Sequence, residues 1–583
     1  MKIGTVILSI FLVFIISSSV VAIPENEVFG SYPLIYKVYP NPYTKGEGDE
    51  FISIINPIDR TVNLNGYSIT DLEGEIFFPP FSLPPGKTCY WAYSSEEFKK
   101  SFGFYPDFAY IVDTNSKTKM IDGRIKLANT RDEVILKKNG KIVDVLVYGD
   151  SDYREGWTGK SVEKPREGQI LKRNSFKDHN NREDWKSPKE TYCGQTNFRP
   201  EEFKFKGKVI AFTSPDSSFL TLTELIDKAE ERIYIYIYTA ENLALIPSLK
   251  DASKRGVEIK MLVEGSPAGG MGEDEPRFLS YIKDIGGDVR LTKDPYVFNH
   301  QKFAILDDVT VVTSENMGYS GLPVDNRYGN RGFWIAICDK DVSAYYLKVF
   351  LNDWNCASSF EGEKISSFGL ERGYVPIGRY EPKFESKIFD GEFTVFPVIG
   401  PDFSIEDNPL IDAIENANDK ILVEVFYADL LWRENPLLKG LINAARRGAD
   451  VYILLDSSDY NVEPDKIDND DFVRYIEGLG EDHLHAETID KDGLLKLHNK
   501  SMIIDDSVFI SSFNWNRNSF MRNREAGVLI YNKELARYYE DIFWHDWGKS
   551  KIERGTLIMI LCLIVAFVSF LVWKRFKVTR NKK

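Results

Sequence analysis

The chain has 583 residues, 43% of them apolar and 13% aromatic, which exceeds one hydrophobic core and excludes extended disorder. Roughly two to four domains are expected at this length. A formal net charge of −15 argues against strong non-specific binding to nucleic acid, while leaving room for a local basic cleft.

Residues 1–22 place Lys2 ahead of an apolar run that ends Val20-Val21-Ala22. This reads as a secretory signal peptide cut after Ala22, an uncleaved signal anchor being the alternative. From about 31 to 148 short alternating apolar runs are separated by turn signals, among them Asn65-Gly66, Pro84-Pro85-Gly86 and Asn139-Gly140. The pattern predicts an all-β sandwich. At GDEFISIINPIDRTVNLNGYSITD (48–71), at DEVILKKNGKIVDVLVYGD (132–150) and at GWTGKSVE (156–163), the sequence resembles the lamin-tail immunoglobulin-like domain. The resemblance spans roughly 31–195 and implies a non-catalytic module for adhesion, spacing or substrate presentation, with no ligand assigned.

Beyond about 205 the pattern changes to alternating strands and helices, and it repeats. LTELIDKAEERIYIYIYTAEN (222–242) leads to a second helix, Arg255-Gly256 and a strand; NPLIDAIENANDKILVEVFYADL (408–430) leads to a second helix, Arg447-Gly448 and a strand. This is βαβ logic, and two similar α/β halves packed on each other are expected over 207–360 and 390–548.

Each half ends in the same motif, H-x-K-x4-D. Copy one carries His300, Lys302 and Asp307 in the run Asn299 to Asn316; copy two carries His498, Lys500 and Asp505 in the run Leu497 to Asn514. Residues i and i+2 of a strand share a face, so each His and Lys project together. The Asp-Asp pairs at 307–308 and 505–506 read as turns, after which return strands bring Ser314 and Asn316, or Ser512 and Asn514, back toward the histidines. Chance would supply about 0.03 such motifs per chain, so two matches at equivalent places of a repeat carry weight.

The chemistry that needs this set is phosphodiester cleavage. Lys302 and Lys500, with Asn316, Asn514, Ser314 and Ser512, would bind the non-bridging oxygens, and the two histidines would supply a nucleophile and a leaving-group acid. Neither a metal nor a cofactor is required. Asp307 and Asp505 enter the catalytic set as motif members, although their turn positions favour a structural part.

These residues resemble the phospholipase D superfamily over about 207–548. The resemblance implies one site built from both copies and a two-step reaction through phosphohistidine. Two departures stand out: Thr313 and Ser511 occupy the usual glycine position, and the spacing from the Asp is one residue shorter than the commonest pattern. The family also implies a downstream carboxylate that orients the opposite copy's histidine. Copy two has Glu525 in Asn-Arg-Glu; copy one has Gly332 in Asn-Arg-Gly. On that basis Glu525 holds His300 as the nucleophile, and His498, without a partner, acts as the general acid.

His483 and His485 could ligate a metal with Asp482, or lie in a solvated acidic loop; His179 reads as a surface residue and His545 as part of a packed terminal helix. The glycine-rich stretch 265–277 is either a loop at the cleft rim or a connector. Cys89, Cys193, Cys338 and Cys356 are free thiols or pair as neighbours, Cys89 with Cys193 and Cys338 with Cys356; the lack of C-x-x-C argues against a structural zinc site.

Gly555 to Trp573 carries no charge and is long enough to span a bilayer, with Cys562 inside the span. The basic tail 574–583 then lies in the cytoplasm and the rest of the mature chain outside, in a disulfide-permissive space. The expected protein is a single-pass, outward-facing phosphodiesterase acting on nucleic acid or phospholipid. The lamin-tail module and the compact copies favour a nuclease; the short connection from 548 to the span favours a phospholipase D or a phosphatidyltransferase of the cardiolipin synthase kind. A non-catalytic adhesion or scaffold protein is the alternative of a different class.

Overall fold

The computed structural model describes residues 32–548, apart from 43–45, 113–116, 166–167, 186–197, 293–295, 363–374, 403–407, 433–434 and 464. The expected leader, span and tail, and Cys193 and Cys562, lie outside the described residues. Among the described residues no helix is long and apolar enough to cross a membrane. The chain divides into two compact units, Met1–Thr196 and Asn197–Lys583.

The first unit holds a six-stranded and a five-stranded sheet. Ile35, Ile54 and Trp91 from one sheet and Ile69, Val134 and Leu146 from the other share one buried core. The hairpin Arg131–Lys138/Lys141–Gly149 closes on Asn139 and Gly140, both at positive φ (48° and 77°), as an Asn-Gly turn favours. His179 is exposed, as its polar sequence context predicts, yet its ring is held by a buried group. Its Nδ1 lies 2.5 Å from Asp184, whose buried carboxylate shares the fully buried Arg173 with Asp144.

The second unit is built on one continuous fifteen-stranded sheet. Strands Phe203–Ser214 and Lys387–Gly400 pair antiparallel at its middle, Phe203 opposite Val395 and Ala211 opposite Lys387. Outward from this pair the two copies repeat one order: Gly332–Cys338, Val309–Thr313, Lys302–Leu306, Arg232–Ile237 and Glu258–Glu264 on one side, and Glu525–Tyr531, Ser507–Ser511, Lys500–Ile504, Lys420–Val425 and Asp450–Leu455 on the other. The halves are therefore joined edge to edge through one sheet. Each copy covers one face with its own helices, such as Ser218–Lys228 and Pro409–Asn416. The other face is common to both. There Tyr346 and Phe350 of helix Lys340–Cys356 and Tyr539 and Phe543 of the terminal helix (533–548) share a core with strand residues from both halves.

Local signals explain the helices. In Pro436–Arg447 the Asn435 side chain accepts from the N–H groups of Leu437 and Leu438, Pro436 opens the first turn, and Gly448 ends the helix at φ 103°. Cys338 and Cys356 do not pair; both are free thiols, as is buried Cys89. Helix Lys340–Cys356 stands between the first two, and its 17 residues span about 25 Å, far beyond the reach of a disulfide.

Candidate active site

Two crossed strand bridges bring the motifs together. Asn299 pairs with Arg524, and Arg331 pairs with Leu497, each bridge linking one copy's Asn-Arg segment to the other's H-x-K segment. The N–H of His300 donates to Arg524 O at 2.7 Å, and that of His498 to Arg331 O at 2.9 Å. Both arginines are fully buried and doubly paired. Arg524 reaches Asp353 (2.8 Å) and Asp402 (2.9 Å), while Arg331 reaches Asp216 (2.7 Å) and Asp546 (2.5 Å). These pairs fix the backbone on which the opposite histidine rests.

His300 Nδ1 lies 2.9 Å from Glu525 Oε2, as the resemblance implies. His498, expected to lack a carboxylate, has one: its Nδ1 lies 3.2 Å from Oε2 of Glu315. Glu315 comes from the Ser-Glu-Asn of copy one, where copy two has Ser-Phe-Asn, and it fills the space left by Gly332. The asymmetry expected from Gly332 is thus one of place, since both histidines face a buried carboxylate.

The rest of the site is nearly symmetric. Lys302 Nζ donates to His300 O (3.0 Å) and Lys500 Nζ to His498 O (2.7 Å), so each lysine returns beside its own histidine. Tyr238 packs edge-on against His300 at 4.8 Å and Phe426 against His498 at 5.0 Å, with each ring 5.2 Å from the neighbouring lysine Nζ. The Tyr238 hydroxyl accepts from Ala268 N at 2.6 Å, which ties the glycine-rich loop to the wall of the site.

Burial dominates the electrostatics. It pushes Lys302 down to about 7 and His300 down to about 4, the latter against the pull of Glu525. His498 and Lys500 are also driven well below their ordinary values, first by burial and then by neighbouring cations. Burial pushes Glu315 up to about 7 against the attraction of Lys500. Such a cluster of desolvated cations is set up to receive an anion, which would restore the lysines' charge.

Asp307 and Asp505, carried in the catalytic set, point elsewhere. At φ 54° and 47° they form the turns, and their carboxylates accept from the N–H groups of Glu230, Glu231 and Arg232, and of Asn418, Asp419 and Lys420. Asp307 follows the far end of strand Lys302–Leu306, about 16 Å along from Lys302. Ser314 and Ser512, expected on the phosphate, are engaged with protein. Ser314 Oγ accepts from Phe333 N, and Ser512 Oγ accepts from Ala526 N while donating to Glu525. Asn316 and Asn514 sit beyond them with buried Oδ1 atoms that have no hydrogen-bond partner among the described residues. Thr313 and Ser511, at the usual glycine position, accept from the N–H of Glu315 and Phe513 and so pin the loop.

Sequence reasoning missed Glu315, Tyr238, Phe426 and both arginines. The signals were present: an Asn-Arg pair precedes position 332 and position 525 alike, and a carboxylate stands inside the one motif that lacks it downstream. His483 pairs with Asp450 (2.7 Å) and His485 packs on Tyr452, while His545, in the terminal helix, touches Lys383 and Asp546.

A family model described as "Cardiolipin synthase, PLD-like domain" matches residues 222–354 and 410–547, and one described as "Lamin Tail Domain" matches 31–150. A cardiolipin synthase of Clostridium perfringens is 24% identical over 358 residues, covering 57% of this chain and 68% of that protein. One from Listeria welshimeri is 26% identical over 366 residues, covering 59% and 69%. Among solved structures, phosphatidylserine synthase of Haemophilus influenzae aligns at 14% identity and TM-score 0.41, covering 59% of this chain and 86% of that one. With its two matched segments, its crossed histidine–carboxylate pairs and its amino-terminal sandwich, the chain carries two phospholipase D-like domains and a lamin-tail domain.

Proposed function

We propose that the protein is a phosphatidyltransferase of the cardiolipin synthase kind, working on phospholipid through a phosphohistidine. The observation that carries the two-step chemistry is the crossed pairing of His300 with Glu525 and of His498 with Glu315 around two buried lysines. The lipid substrate is supported by the match of both copies to a cardiolipin synthase type of domain and by relatives of that name, in preference to the nuclease expected from domain company.

In the first step His300 Nε2 attacks phosphorus, the bond to the leaving oxygen breaks, and His498 gives that oxygen its Nε2 proton. In the second step His498 takes a proton from an acceptor hydroxyl, whose oxygen attacks the phosphohistidine and frees His300. Lys302 and Lys500 neutralise the non-bridging oxygens, with Asn316 and Asn514 at the rim. The choice of His300 as nucleophile rests on its partner. Glu525 receives Ser512, Ser519 (2.6 Å) and Asn523 (3.0 Å) besides His300, so it can stabilise the phosphorylated imidazolium. Glu315 receives only Asn330 (3.1 Å) besides His498, and its Oε1 has no partner among the described residues. The outward-facing topology with a span at 555–573 belongs to the same proposal, since it would bring the site near a bilayer.

The test is to give the purified full chain, in detergent and chelator, mixed micelles of phosphatidylglycerol. Cardiolipin with release of glycerol supports transfer; phosphatidic acid alone supports hydrolysis. Cleavage of single-stranded DNA with no change in the lipid would overturn the lipid reading.

A further inference from the structure

We infer that Glu315 is the positioning residue for His498, a carboxylate relocated from the place that Gly332 now leaves open, and that it governs protonation of the leaving group. This deepens the two-histidine chemistry proposed above and rests on that reading, though not on its lipid substrate.

Four observations converge. A Cβ on Gly332 would stand only 2.5 Å from Glu315 Oε1, and nearer still to its Cγ, so a side chain at 332 and Glu315 exclude each other. The asparagine two residues before each position binds whichever carboxylate is present, Asn330 to Glu315 at 3.1 Å and Asn523 to Glu525 at 3.0 Å. In copy two, where the carboxylate is Glu525, the counterpart of Glu315 is Phe513, buried in an apolar cluster against Phe509 and Phe520. Finally Thr313, where the family has glycine, fixes the Glu315 backbone by accepting its N–H at 3.0 Å, and the residue is 1% exposed. Each copy therefore keeps one carboxylate, from one of two backbone positions, aimed at the opposite copy's histidine.

A plain structural part for Glu315 explains its burial, but it does not explain a Gly332 emptied to admit it or a hydrogen bond to a motif histidine. Accepting the Nδ1 proton of His498 turns Nε2 toward the phosphorus site. During cleavage the Nε2 proton passes to the leaving oxygen and the Nδ1 proton stays shared with Glu315, so the pair loses one proton per turnover and regains it from the acceptor. Burial raises Glu315 to about 7, and a bound phosphate anion favours the doubly protonated His498 from which the Nε2 proton leaves.

The experiment uses the full chain with its six histidines labelled with nitrogen-15, as wild type, Glu315→Gln, Glu315→Ala and the double variant Glu315→Ala/Gly332→Glu. At pH 8 the wild-type His498 signal should be that of the Nδ1–H tautomer, lost in Glu315→Ala and regained in the double variant. Kinetics compare a phosphodiester with an alkyl leaving group, which needs a proton, and one with a nitrophenyl leaving group, which does not. In single-turnover release of the leaving group, Glu315→Ala should lose about 10²-fold on the alkyl diester and under about 5-fold on the nitrophenyl diester, and the double variant should regain about tenfold of the loss. Glu315→Gln, nearly isosteric, separates charge from packing and should lose activity on the alkyl diester selectively. Equal losses on both diesters, or an unchanged His498 tautomer in Glu315→Ala, would overturn the inference. A tautomer that follows Glu315 in a wild-type protein that cleaves neither diester would sustain the positioning role and sink the phosphodiesterase reading instead.

Discussion

His300 Nδ1 and Glu525 Oε2 meet at 2.9 Å from opposite copies of the duplication, so neither half alone contains a complete pair. Glu525→Gln should lower kcat on an alkyl phosphodiester by about 10²–10⁴-fold with little change in KM, because the lost charge serves the phosphorylated imidazolium more than it serves binding. Steady-state kinetics check this; a rise in KM at constant kcat would contradict it.

The buried arginines make the crossing costly to disturb. Arg524→Ala removes the guanidinium that pairs with Asp353 and Asp402, and breaking such a buried pair costs about 3–5 kcal/mol. Urea unfolding of the second unit should show that loss. A change below about 1 kcal/mol would mean the pairs do not anchor the site.

Anion affinity should depend on pH in a direction set by the lysines. Lys302, lowered to about 7, becomes neutral as pH rises through that value, while Glu315 becomes charged in the same range. Both changes disfavour an anion. Sulfate, which does not titrate here, should bind more tightly at pH 6 than at pH 8, by about tenfold for each proton the site must take up per unit of pH. Calorimetry with wild type and Lys302→Met tests it: the variant should bind weakly and lose much of the pH dependence.

Asp307 carries a different expectation from its motif partners. Its carboxylate accepts from three backbone N–H groups, and those bonds hold it below the usual carboxylate range. Asp307→Ala should cost about 1–3 kcal/mol of stability and leave kcat nearly unchanged. The stability it supplies is present above the unfolded carboxylate pKa and is lost as pH falls through the lower folded value, so the variant and wild type should converge in acid. Unfolding curves at pH 7 and pH 3 check both statements.

Much of this was legible before any coordinates. The repeated helix–strand–helix–strand units and the two H-x-K motifs follow from spacing and strand periodicity, which are local properties, while the partnership of Glu525 with His300 came from the family resemblance. The sheet that joins the copies was harder to read: Phe203–Ser214 alternates Phe with Lys at its start and then becomes mostly buried, so its pairing with Lys387–Gly400 depends on a partner far along the chain. The carboxylate of His498 was missed for a related reason. Comparing the copies position by position shows Gly332 as a loss, whereas the space that glycine leaves is filled by Glu315 from the neighbouring strand end. The hydroxyls of Ser314 and Ser512 likewise face backbone because the return strands bring them against positions 333 and 526, a register that motif spacing does not specify.

The most direct measurement is to trap the covalent intermediate. His498→Asn and His300→Asn variants of the full chain are mixed with phosphatidylglycerol, quenched in alkali and mapped by mass spectrometry. The expected result is a phosphatidyl adduct on His300 in the first variant and no adduct in the second. An adduct on His498 in the second variant, or turnover of lipid by wild type with no histidine adduct in either variant, would contradict the account.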